Sequence, residues 1–184
     1  MTTQKTADKA TAKKPGEGLL KFLRSRKEDR GFMANLRCAL VDSKRHRAWP
    51  YLANFDGIGH NHGNRVVQTV AGLYATQPEE THDGNFGTTC HGLLNDDERQ
   101  KLSQSDGIGP VSRRFQHLLA ADGDEIFDRV VQFVLRAKTQ GIPVNYEQLY
   151  KDLLDWEYHA DWVRVRWAQS FWTPKVELEA EVTS

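Results

Sequence analysis

Five side chains able to bind a transition metal, His60, His62, His82, Cys90 and His91, fall in one stretch rich in Gly, His, Thr and Asn. His-x-His and Cys-His pairs can ligate zinc. The spacing is nevertheless not the paired C-x-x-C or H-x(3–5)-H of a structural zinc site, and loop histidines are commonly solvated. A second constellation is His82-Asp83, with His62 upstream and Asp124 or Asp128 downstream. Helical metal-dependent phosphohydrolases of the His-Asp type use such a set to hold ions that activate water. Here the neighbours Glu79-Glu80-Thr81 and Gly84-Asn85 read as loop. Composition alone yields about half a His-Asp pair by chance. Nucleophilic catalysis has no support, because no G-x-S-x-G occurs and neither Cys38 nor Cys90 has an activating neighbour in sequence. No G-x-x-x-x-G-K-[ST] loop is present, and Gly57, Gly59 and Gly63 follow no strand. These residues lead to the expectation of no catalytic set, no metal and no cofactor.

The remaining chemistry is that of cations meeting a polyanion. Lys and Arg neutralise phosphates and release counterions, giving affinity independent of base sequence. The chain carries Arg37, then Lys44-Arg45-His46-Arg47, then Arg113-Arg114, then Arg129, Arg136 and Lys138. Trp49 and Tyr51 follow the second cluster, where they could stack on bases or belong to the core. Arg136 and Lys138 sit near a predicted helix C-terminus, where they could instead complement its dipole. Net charge is zero, from 25 basic and 25 acidic residues. The distribution is uneven: residues 1–50 hold 13 Lys/Arg against 5 Asp/Glu, and residues 51–112 hold 3 against 8. Such asymmetry accompanies a polyanionic partner.

These side chains must be carried by helices. Leu19, Leu20 and Leu23, then Phe32, Met33 and Leu36, recur at helical spacing, as do Val66, Val67, Val70, Ala71 and Tyr74. Phe115, Leu118 and Leu119 mark another stripe, and Phe127, Val130, Val131 and Val134 a helix capped by Asp124. Asn145 caps the next helix, with Gln148 completing a capping box. The last helix starts near His159, with Val163, Trp167 and Phe171 on one face and Trp162, Val165 and Trp172 on another. With no alternating strand pairs, the fold class is all-α, about seven helices in one or two small bundles. The expected organisation is a disordered basic tail over 1–17, a helical half over 18–75, an irregular connection over 76–110, a helical bundle over 111–172 and an acidic tail over 173–184. Asp56-Gly57-Ile58-Gly59 recurs as Asp106-Gly107-Ile108-Gly109, but the flanks do not match.

The 184 residues are enough for one domain with a substantial core, and 39% hydrophobic against 27% charged residues is globular composition. No run approaches the ~20 apolar residues of a membrane span, and the N-terminus has no apolar signal region. Two cysteines are too few for a disulfide framework, which points to a reducing, cytoplasmic setting.

The segment from Gly107 to Asp122, centred on Ser112-Arg113-Arg114-Phe115, resembles the arginine-pair helix of the CasB family, the small subunit of the type I-E CRISPR Cascade complex. Ile142-Pro143-Val144-Asn145-Tyr146, Trp156, Trp167-Ala168 and Phe171-Trp172 continue the likeness, and Arg47-Ala48-Trp49-Pro50 extends it upstream. The resemblance implies a non-enzymatic ribonucleoprotein subunit of antiviral defence. Its expected partners are the backbone and large subunits, a second copy of itself, crRNA and target DNA. It further implies that Arg37, Lys44, Arg45, Arg47, Arg113, Arg114, Arg129, Arg136 and Lys138 contact nucleic acid, and that Trp162 and Trp172 serve subunit packing. The alternatives from the residues alone are the metal phosphohydrolase and a stand-alone helical adaptor associated with nucleic acid. The Lys-rich arm 1–15 and the His/Gly-rich stretch 76–92 have no counterpart in the resemblance.

Overall fold

A computed structural model describes residues 16–104 and 107–173. The basic tail expected over 1–17 and the acidic tail over 173–184 thus lie almost wholly outside the described residues, as does Asp106 of the second Asp-Gly-Ile-Gly. Among the described residues the protein is all-helical, with nine α-helices, three short 3₁₀ turns and one isolated β-bridge between Glu80 and Val144.

The centre is α4 (His62–Thr76). Every residue from Val66 to Ala75 is buried, so this helix is surrounded on all sides. It packs against α1 (Glu17–Ser25), α2 (Arg30–Arg37), α8 (Glu125–Gln140) and α9 (Tyr146–Trp172). Its buried Gln68 spends its amide donors on the carbonyls of Gly57 (2.9 Å) and Gly59 (3.0 Å), tying down the loop ahead of the helix. Asn61 and Asn64 form a capping box at its start. A single connected hydrophobic core runs from Leu19 to Phe171.

The last helix is bent back on itself. His159 leaves helical geometry (φ −135, ψ 33), close to where the sequence places a new helix start. Eleven residues of straight helix span about 16 Å. The rings of Trp156 and Trp167, eleven apart, lie 5.3 Å apart, so residues 146–158 and 160–172 run back against each other. Asp152 on the first limb accepts bonds from Arg166 Nη2 and Trp167 Nε1 on the second, both at 2.6 Å. Counting these limbs separately gives ten helices, more than the seven expected.

Among the described residues, the stretch 76–110, expected to be irregular, holds α5 (Phe86–Gly92) and α6 (Asp96–Gln104). These helices are short and polar and lack an apolar stripe. They are built by caps and packing instead: Asn85 and Thr88 form a capping box, and Thr81 N–H and Val144 N–H exchange bonds with the Val144 and Glu79 carbonyls. Gly87 lets α5 lie directly on the Trp167 backbone, where an added Cβ would meet the carbonyl oxygen at 2.1 Å. Two expected caps are also corrected. Asp124 makes no cap bond and pairs with Arg65 at 2.8 Å. Asn145 accepts the Gln148 N–H, but the Gln148 side chain turns to Asp152 rather than closing the box.

Candidate nucleic-acid interface

Helix α7 (Pro110–Leu119) carries the arginine pair. Ser112, Phe115 and Leu118 are its buried side, which leaves Arg113 and Arg114 exposed. No side chain of its own caps it. Glu98, the one buried residue of α6, supplies a carboxylate that accepts the Val111 N–H at 2.8 Å. An anion at a helix N-terminus is favoured by the unpaired N–H groups and the dipole. Glu98 therefore sets the start of the arginine helix, thirteen residues away in sequence, and no local pattern marks it.

Arg114 of α7 faces Arg129, Gln132, Phe133 and Arg136 of α8 across a groove of about 400 Å³. On α8 these four follow i, i+3, i+4 and i+7, one helix face. Arg129 is partly neutralised by Glu125 at 2.6 Å. Arg114 and Arg136 have no ion-pair partner among the described residues. The groove thus presents two uncompensated guanidiniums over an apolar floor, a surface suited to phosphate oxygens. Lys138, exposed near the end of the same helix, does not line the groove.

A second basic depression of about 410 Å³ is lined by Lys27, Glu28, Arg30, Met33, Arg37, Ala75 and Pro78. Arg37 spends Nε on the Ala75 carbonyl at 2.8 Å, closing the end of α4. Lys44 and Arg47 are exposed on the 3₁₀ segment Asp42–Arg47. Arg45 is different: its side chain is 11% exposed and pairs with Asp42. Trp49 is half-buried and edge-on to His60, and Tyr51 packs on Phe32 at 5.3 Å, so both serve packing.

Other arginines are structural. Arg24 bridges Glu80 (2.8 Å) and Glu147 (3.0 Å), and the Glu80 bond foremost raises its pKa above the ordinary range. Arg164 ties Asp122 to Asp161. Arg166 holds Asp152, whose carboxyl is raised above its ordinary value by burial against the opposing pull of its donors.

Trp162 is 59% exposed, with Arg166 over its ring at 3.9 Å, and Tyr158 and Val165 are exposed beside it. Trp172 is half-buried on Phe115 at 5.3 Å, so it belongs mainly to the core.

The metal-ligating candidates are dispersed. His62 Nε2–H donates to the Leu153 carbonyl at 2.6 Å, and His91 Nδ1–H to the Phe171 carbonyl at 2.7 Å. Cys90 is fully buried, and burial pushes its thiol well up. His82 is exposed, 3.8 Å from Glu147. Among the described residues no three His, Cys, Asp or Glu side chains gather at one point. Among them, too, no helix is long and apolar enough to cross a membrane.

The sequence model of the CRISPR-associated Cse2 family matches residues 33–172. The fold is similar to the crystal structure of a Cse2-family CRISPR-associated protein from Thermus thermophilus (24% identity, TM-score 0.69), over 86% of this chain and 98% of that one. It is similar to the crystal structure of CasB from Thermus thermophilus (25% identity, TM-score 0.67), over 86% and 97%. It is also similar to a chain of a CRISPR RNA-guided surveillance complex (18% identity, TM-score 0.64), over 82% and 89%. No curated protein matches the sequence.

Proposed function

This chain belongs to the CRISPR-associated Cse2 family, and on that premise we propose that it is the non-catalytic small subunit of a crRNA-guided type I-E Cascade complex. In this reading it packs on the backbone and large subunits and on a second copy of itself. Its basic surface steadies the crRNA–target heteroduplex and the displaced DNA strand in the cytoplasm. The observation that carries the reading is the groove holding Arg114 and Arg136, two guanidiniums without an ion-pair partner among the described residues, in a fold shared with a surveillance-complex chain. Base pairing reads sequence in such complexes, so the protein needs only contacts to backbone charge and shape. R-loop formation is a near-balanced exchange, so a few phosphate contacts on the displaced strand shift it. Arg113, Lys44, Arg47, Arg37 and Lys138 are exposed and extend the same role. Arg129 and Arg45, each sharing an acid, contribute less. The exposed Trp162 is assigned to subunit packing, where large aromatic side chains are enriched.

The test is co-expression of the tagged chain with the other Cascade subunits and a CRISPR array. Near-stoichiometric recovery of those subunits with processed crRNA is the expected result. Recovery of the chain alone would overturn the reading.

A further inference from the structure

Resting on the reading of this chain as one subunit of a larger assembly, we propose that the outer surface of the α9 bend, around Tyr158 and Trp162, docks an arginine-bearing segment of another protein subunit.

Tyr158 closes the first limb of α9 and Trp162 lies in the first turn of the second. At 77% and 59% they are the two most exposed large apolar side chains among the described residues. Both line one open depression of about 420 Å³, whose floor is the buried Trp156. The fold does not need them there. Trp156 and Trp167 already pack on each other at 5.3 Å, and the Trp167–Asp152 bond fastens the limbs. Arg166 covers one side of the Trp162 ring at 3.9 Å, yet the indole stays mostly exposed. Two neighbouring aromatic side chains held in water, outside the core, mark a docking surface.

The rim fixes the charge of the occupant. Glu157 and Asp161 line the same depression. Glu157 is exposed and has no ion-pair partner among the described residues. Asp161 shares Arg164 with Asp122, so three carboxylates face a single guanidinium. The terminal donors of Arg164 are spent on Asp161, Asp122 and the Ala121 carbonyl. Arg166 is neutralised by Asp152. The bend thus sets uncompensated negative charge beside exposed aromatic rings. A guanidinium satisfies both at once, because it stacks on an aromatic face while its fork of donors reaches carboxylate oxygens. A phosphate backbone is repelled by the same carboxylates, which sets this surface apart from the basic groove of α7 and α8. Arg113, Arg114 and Arg136 are assigned above to nucleic acid. A second copy would therefore give up a nucleic-acid contact to supply the cation, and the docked arginine belongs to a different chain.

In the test, Tyr158 of the tagged full-length chain is replaced by the photo-crosslinking residue p-benzoylphenylalanine. The chain is co-expressed with the other Cascade subunits and a CRISPR array, and the purified complex is irradiated. Mass spectrometry should place the cross-link on another protein subunit, within a few residues of an arginine. Changing that arginine to Glu should lower recovery of its subunit about tenfold, and Glu157→Lys on this chain should restore most of the loss. Because Glu157 is exposed, E157K alone should melt like the wild type. A cross-link to a second copy, to nucleic acid or to a segment without arginine overturns the proposal. So does an assembled complex without a cross-link, or a charge swap that neither lowers nor restores recovery. If the wild-type chain recovers no other subunit, the Cascade reading fails and the surface is tested alone. The isotope-labelled chain is then titrated with acetyl-arginine methylamide and its uncharged isostere acetyl-citrulline methylamide. The arginine compound should shift the amides of residues 157–162 and the Trp162 indole at concentrations about threefold below the citrulline compound. Equal shifts, or none, overturn the proposal.

Discussion

The Trp167 indole N–H donates to the Asp152 carboxylate at 2.6 Å, with neither side chain exposed. The two lie on opposite limbs of α9, so this bond fastens the turn at His159. Gln148 and Arg166 complete the carboxylate's shell with two more donors. Every neighbour donates and none accepts, so an uncharged or shortened side chain at 152 leaves buried donors without partners.

Asp152→Ala should therefore lower unfolding stability by about 3 kcal/mol, since breaking a buried, hydrogen-bonded charge pair costs roughly 3–5 kcal/mol and the Arg166 side chain remains 28% exposed. Trp167→Phe removes one hydrogen bond and some volume, for about 2 kcal/mol. A urea double-mutant cycle should show coupling of about 1 kcal/mol. Additive effects would mean that the hairpin closes without this bond.

Gly87→Ala and Gly92→Ala separate two kinds of close approach. At Gly87 the obstacle is the rigid Trp167 backbone at 2.1 Å, whereas at Gly92 it is the side chain of Ile142 at 3.3 Å. The first should cost more than about 3 kcal/mol or prevent folding, and the second less than about 1 kcal/mol. Thermal melts of the two proteins decide this, and equal melting points would contradict the packing of α5 on α9.

Arg114→Ala with Arg136→Ala should weaken single-stranded DNA binding and reduce the salt slope by about 1.4, from roughly 0.7 for each lost phosphate contact. Neither side chain takes part in an ion pair among the described residues, so the melting temperature should stay unchanged. An unaltered salt slope would remove the groove from the nucleic-acid path.

Asp29 caps α2 by accepting the Phe32 N–H and also pairs with Arg26, and both lower its pKa, the Phe32 bond foremost. Its stabilisation is present above the ordinary carboxylate range and lost as pH falls through the depressed folded-state value. Asp29→Asn keeps a capping oxygen but cannot titrate, so its stability should fall less steeply as pH drops below the ordinary carboxylate range. Asp152, shifted the opposite way, gives the reverse slope: it ionises less readily folded than unfolded, so stability falls as pH rises through its raised value. Melting curves taken below the ordinary carboxylate range read the Asp29 effect and curves taken above it the Asp152 effect, and a D29N curve parallel to wild type would refute the first.

Trp162→Ala should leave the melting temperature of the isolated chain within a few degrees, because the side chain is mostly exposed. In co-expression it should lower recovery of the other subunits several-fold, as removal of an interface aromatic does. Full recovery would place the packing face elsewhere.

The long helices were legible in the sequence because periodicity is local. The stripe from Val66 to Tyr74, the Phe127–Val134 face and the Asn145 cap each need only residues within a few turns, and each is present. The break near His159 was legible for the same reason. Helices α5 and α6 were not, because caps and distant packing hold them rather than an apolar stripe. Nor could the sequence divide its arginines. Arg24 finds Glu80 and Glu147, and Arg65 finds Asp124, 59 residues away. Arg114 and Arg136 face one groove across two helices. By itself the sequence determined an all-helical chain, most of its helix faces and a family resemblance. Only the tertiary structure decided which cations are consumed by the fold and which remain available. Ion pairing depends on distance through space, which linear spacing encodes only along a single helix.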